Sequence, residues 1–215
     1  MNLPRNRTYI YLHGFASSPQ SAKARYISDR FSSLKINLTI PDLNQGDFSS
    51  LTLTRQLEQV AAEIDASPSP VILIGSSFGG LTSTFLAENN SKVEKLILLA
   101  PAFNFLSHWL PILGEQELQK WQSEGFKSIY HYAENDYLPL SYDFVVDLAK
   151  YEEEKLERSL PTLILHGRRD EVIPIQASSN FAAKRSWVQL IPLDSDHSLG
   201  NVMAETWQAI NQFLT

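Results

Sequence analysis

Five residues, Gly75-Ser76-Ser77-Phe78-Gly79, carry the pattern G-x-S-x-G. The apolar run Val71-Ile72-Leu73-Ile74 precedes them and a helix-like stretch, Leu81 to Glu88, follows. A strand that turns at once into a helix forces the turn residue into a strained conformation and thrusts its side chain outward. Only very small neighbours fit two positions to either side, the places of Gly75 and Gly79. Ser77 then stands at the start of a helix, with backbone N–H groups near its hydroxyl, placed to attack a carbonyl. Ser76, off the centre of the pattern, reads as a structural hydroxyl.

A serine hydroxyl is a poor nucleophile at neutral pH; it needs a base within hydrogen-bond reach, and the base needs an orienting carboxylate. His197, in Ser195-Asp196-His197-Ser198, is the candidate base, between the last strand-like run and the final helix. Asp170, beyond Leu165-His166-Gly167, is the candidate acid. Asp194 and Asp196 compete for that role, but their closeness in sequence to His197 makes orienting it from behind harder; Glu171 is a further alternative. The order Ser77, Asp170, His197 is one in which such triads occur. His13 and His166 each precede a glycine at a strand end and read as structural. His108 and His131 show no metal-ligand spacing, so neither metal nor organic cofactor is expected.

The elements that must position these residues follow from hydrophobic periodicity. Strand-like runs are Thr8–Leu12, Ile36–Ile40, Val71–Ile74, Val93–Ala100, Thr162–Leu165 and Trp187–Ile191; helical stretches are Pro19–Ser33, Thr52–Ala66, Leu81–Asn89, Pro174–Lys184 and Gly200–Phe213. Such alternation predicts an α/β fold, a mainly parallel sheet of about six strands covered on both faces. Ligands bind beyond the carboxyl ends of such strands, where His13-Gly14, Ser77, Asp170 and His197 all fall. Between Ala102 and about Leu160 no comparable buried strand is expected, only short amphipathic pieces such as Gly114–Ser123 and Ser141–Lys150. The run from Tyr151 to Arg158 mixes charges and reads as a solvated helix face.

With 215 residues the chain suits one domain, 1–215, and is short for two. A net charge of −6 leaves no basic stripe for nucleic acid. The absence of cysteine excludes disulfides, thiolate metal sites and a thiol nucleophile. No apolar segment reads as a signal peptide or a membrane span. A cytoplasmic protein, monomer or homodimer, acting on a small molecule is the expectation.

The chain resembles an α/β-hydrolase over nearly its whole length, and within that superfamily the small YqiA-like and ABHD10-like esterases and thioesterases. The resemblance rests on Tyr11-Leu12-His13-Gly14-Phe15, Ser17-Ser18-Pro19, Ser21-Ala22-Lys23, Gly75-Ser76-Ser77-Phe78-Gly79-Gly80, Leu165-His166-Gly167 with Asp170, and Ser195-Asp196-His197. It implies Ser77 as nucleophile, Asp170 as acid and His197 as base, with an oxyanion hole from the N–H groups of Phe15 and Phe78 that Gly14 lets approach. It also implies a three-layer sandwich, an ester or thioester substrate, and a small helical lid at about 102–160. Some of Phe103, Phe105, Trp109 and Leu110 should then line an acyl pocket. A non-catalytic hydrolase-fold binding protein is the alternative from another class, and the intact set of three residues argues against it.

Overall fold

The computed structural model describes residues 3–215. Six parallel strands form the central sheet: β1 (Thr8–Leu12), β2 (Leu38–Thr39), β3 (Val71–Ser76), β4 (Val93–Leu99), β7 (Thr162–Gly167) and β8 (Val188–Leu193), in the order β2-β1-β3-β4-β7-β8. This is the expected α/β architecture with the expected number of strands.

Alternation along each strand divides the core in two. Ile10, Leu12, Val71, Leu73, Leu96, Leu98 and Ile164 face one side. Tyr9, Tyr11, Ile72, Ile74, Ile97, Leu99, Leu163 and Leu165 face the other. Burial on both faces is why these strands read as unbroken apolar runs, and each fully buried aliphatic side chain contributes roughly 2 kcal/mol. On the first face lie α2 (Leu53–Ala66), α3 (Phe78–Asn89) and α7 (Ile175–Ala183); on the second lie α1 (Ala22–Ser33) and α8 (Met203–Leu214). Ser21 caps α1 by accepting from the Ala24 N–H, and Thr52 caps α2 by accepting from that of Arg55. No helix among the described residues is long and apolar enough to cross a membrane.

Three expectations need correction. The second strand is two residues long rather than Ile36–Ile40, because it pairs only with β1 at the sheet edge. The segment between β4 and β7 holds α4 (Phe105–Leu113), α5 (Glu115–Glu124), α6 (Asp143–Leu148) and an antiparallel hairpin, β5 (Phe126–His131) with β6 (Asp136–Ser141). The hairpin escapes periodicity because only His131 of β5 and Leu140 of β6 are buried, and Pro139 within β6 disguises it further. The charged run forms no α-helix; it makes one 3-10 turn, Glu153–Lys155, and turns inward at Leu156. Arg158 from the same run donates to the carbonyls of Ala87, Asn90 and Val93, closing the end of α3.

Candidate active site

β3 runs directly into α3, and Ser77 sits between them with φ 53° and ψ −119°. Left-handed φ is costly for a side chain with a Cβ and persists only where the surroundings enforce it. Here the Ser77 N–H donates to Leu99 O at 2.9 Å and its carbonyl accepts from Ala102 at 3.0 Å. A Cβ on Gly75 would lie 2.6 Å from Gly80 Cα, and one on Gly79 would strike the carbonyls of Leu12 and His13. Ser77 also occupies the N-cap position of α3, where a serine ordinarily bonds the helix's own N–H groups. It makes no such bond, and its hydroxyl points elsewhere.

That hydroxyl donates to His197 Nε2 at 2.9 Å, and His197 Nδ1 donates to Asp170 Oδ2 at 2.7 Å. The three groups come from the loops after β3, β7 and β8 and span 120 residues of sequence. The Asp170 side chain is fully buried and His197 is 21% exposed, so the serine end of the chain is the end open to solvent. Asp196 instead accepts from the N–H and hydroxyl of Ser198, and Asp194 pairs with Arg169 at 2.9 Å; neither orients the imidazole.

Burial alone would raise the Asp170 carboxyl. Hydrogen bonds from His166, His197 and the Ile173 N–H overcome it and hold the group well below the usual carboxylate range. Oδ1 accepts from both Val172 and Ile173 N–H at 2.9 Å, while His166 Nε2 lies 3.0 Å from Oδ2. His166 Nε2 also lies 2.9 Å from Ile173 O, and its Nδ1 lies 2.8 Å from the Ser178 hydroxyl. His166 therefore holds the acid, a role beyond the loop-bonding one its position before Gly167 suggests. The signal was the four-residue step from His166 to Asp170 across a tight turn.

His13 anchors the loop after β1. Its Nδ1 donates to Gly14 O and its Nε2 accepts from Leu43 N–H at 3.0 Å; burial lowers its pKa, consistent with this neutral, structural pairing. The N–H groups of Phe15 and Phe78 donate to no acceptor among the described residues, leaving both available.

Phe15 meets five aromatic rings, Phe48, Phe78, Phe105, Trp109 and Phe144, at centroid distances of 5.2–6.2 Å. Phe105 and Trp109 of α4 thus reach the Phe15–Phe78 region. Phe103 does not join those rings. It is buried against α7, stacked on Phe181 at 4.2 Å, because the chain leaving β4 passes over α7 before α4 begins. Leu110 packs part-buried against the same core. Phe144 of α6 and Phe48 were missed, since nothing in their local sequence marks them off from ordinary core residues.

A chain from mouse named "Palmitoyl-protein thioesterase ABHD10, mitochondrial" is 25% identical over 185 residues, covering 80% of this chain and 62% of the relative; the rat counterpart is 24% identical. The chain thus spans less than two thirds of the length of these curated relatives. Among solved structures, Est1E from Butyrivibrio proteoclasticus with bound ferulic acid superposes with a TM-score of 0.81 at 19% identity, covering 98% of this chain and 89% of Est1E. Mouse alpha/beta hydrolase domain-containing protein 10 gives 0.78 at 21% identity, with 99% and 92% covered. These likenesses place the architecture among the α/β-hydrolases. The sequence profile described as "Uncharacterised protein family (UPF0227)" matches residues 8–215. With that match over nearly the whole chain, the protein belongs to the UPF0227 family, on the α/β-hydrolase fold.

Proposed function

We propose that this protein is a serine-dependent carboxylic ester hydrolase of small to medium acyl groups, working through an acyl-enzyme. The observation that carries the reading is the hydrogen-bonded chain Ser77–His197–Asp170, at 2.9 and 2.7 Å, with the serine hydroxyl withdrawn from helix capping. In the proposed reaction Ser77 Oγ attacks the ester carbonyl carbon as His197 Nε2 takes its proton. Asp170, kept ionised, stabilises the imidazolium and holds its orientation. The unpartnered N–H groups of Phe15 and Phe78 receive the oxyanion; one such donor is worth roughly 3 kcal/mol of barrier. The tetrahedral adduct collapses, the leaving oxygen takes the proton from His197, and water activated by the same imidazole releases the acid and restores Ser77.

A second reading, an acyl-thioesterase, is favoured by the name of the ABHD10 relative. The same three residues serve a sulfur leaving group. In both readings the chain is one domain whose 102–160 segment acts as a lid, and Phe15, Phe78, Phe105 and Trp109 form the apolar wall against the acyl group.

A fluorophosphonate probe tests the nucleophile: the wild type should be labelled and Ser77→Ala should not, while remaining folded. An unlabelled wild type sinks the reading. Matched nitrophenyl esters and acyl-thioesters of increasing chain length then decide between the two leaving groups.

A further inference from the structure

Lys23 lies in the first turn of α1, at the far end of the sequence from the histidine loop. Its Nζ nevertheless donates to the main-chain carbonyl of His197 at 3.3 Å, bridging 174 residues. Burial pushes its pKa down to about 8, against the pull of Asp170 and Asp196, which face it from the loops after β7 and β8; α1 itself offers no acidic residue in its first turn. A desolvated ammonium is expensive, and a methionine of similar length would fill the same space at lower cost. What the ammonium adds is a charge-assisted donor aimed at the peptide of the residue that must span Ser77 and Asp170.

We infer that Lys23 is a positioning residue: its ammonium tethers the His197 backbone to α1 and so holds the imidazole between the serine and the acid. The loop is also held by Arg169, whose N–H donates to Ser195 O at 2.9 Å and whose guanidinium pairs with Asp194, by the turn in which Asp196 accepts from Ser198, and by the contact of Ser195 Oγ with Asn201. None of these touches the His197 carbonyl. The inference rests on the triad reading above. It concerns a residue that contacts no reacting atom in that mechanism.

The test compares Lys23→Met, Lys23→Arg and the wild type by kcat and KM on a nitrophenyl ester, by fluorophosphonate labelling rate and by Tm. Because small misplacements of a catalytic group are costly, Lys23→Met should lower kcat and labelling by about tenfold to a hundredfold with KM little changed. Its Tm should equal or exceed the wild type's, since the desolvation cost of a partly buried charge is gone. Lys23→Arg should recover most of the rate. The wild-type kcat should decline as pH rises through about 8, while Lys23→Arg shows no decline there and Lys23→Met is flat at its lower level. Wild-type labelling with an equal rate for Lys23→Met overturns the inference and leaves the triad standing. Rate and Tm falling together, with no recovery in Lys23→Arg, also overturns it. A wild type that resists the probe overturns both.

Discussion

Ser77, Asp170 and His197 stand on loops at the ends of three strands of one sheet, each loop tied by main-chain bonds to its neighbours. Phe105 and Trp109 stand on α4, a nine-residue helix between Asn104 and Gly114, with Pro111 inside it and Ile112 71% exposed. The first region is over-determined: φ at Ser77, the contacts around Gly75 and Gly79, three hydrogen-bond donors on Asp170 and the His166 Nε2 contact beside them leave one arrangement. The second is held by mutual packing of rings, which several arrangements could satisfy. In the proposed function the first region holds the bond-breaking atoms rigidly and the second adapts to the acyl group.

The sharpest way to break this contrast is at the rigid end. Ser77→Gly should abolish turnover, about 10⁴-fold or more, yet unfold at a higher temperature than Ser77→Ala. Glycine carries no penalty at φ 53°, and relief of about 1 kcal/mol corresponds to roughly 2–4 °C in a domain of this size. Equal melting temperatures for the two variants would mean that the turn stores no strain. Next in size, Asp170→Asn should cost about 10⁴-fold in kcat by leaving His197 without its anionic partner. Because the native carboxyl is held below its unfolded value, near 3.9, the ionised Asp170 adds stability above about pH 4. That contribution fades as the pH falls through the depressed native value. Thermal melts of the wild type and Asp170→Asn should therefore differ most near neutrality and converge in acid; a gap that widens in acid would contradict the assignment.

The adaptable end should give smaller, selective effects. Trp109→Ala should change relative rates on long and short acyl esters by about tenfold, within the range one or two methylenes can command. An unchanged chain-length profile would remove α4 from the acyl wall. The smallest effect is expected at Glu153, whose Oε1 accepts from the Asn104 N–H just before α4 at 2.7 Å. Burial pushes its carboxyl up to about 7 from an ordinary 4.5. Between those values the native protein binds this proton more tightly than the unfolded chain, so stability falls as the pH rises through that window. Glu153→Gln should remove the dependence and raise Tm by a few degrees at pH 8, on the order of 1–2 kcal/mol after solvent screening. Nothing should change at pH 4. A variant less stable at pH 8 would show that the charge supports the entrance to α4.

The contrast also marks how much could be read beforehand. β3 and β7 announce themselves because both faces are buried, and the elbow announces itself because only glycine tolerates the contacts on either side of Ser77. Separation from His197 along the chain favours Asp170 over Asp194 and Asp196, and only the geometry shows Asp170 on the imidazole while the other two bond Arg169 and Ser198. The hairpin β5–β6 stayed hidden because only one residue of each strand is buried, and its tip reaches the Phe15 loop through the Tyr132 N–H bond to Ala16 O, a contact that leaves no periodic trace. Phe103 looked equivalent to Phe105, two residues away, yet one stacks on α7 and the other joins the rings around Phe15.

By itself the sequence determined what local sterics and periodicity encode: six alternating units, a serine on a strand-to-helix turn, and an acid and a base in loops on the same edge of the sheet. Tertiary structure alone decided the distances that join Asp170 to His197, that His166 meets Asp170 and Lys23 the His197 carbonyl, and which aromatic rings surround Phe15. Those choices depend on groups far apart in the chain meeting where strand ends converge, and a distance through space has no signature in spacing along it.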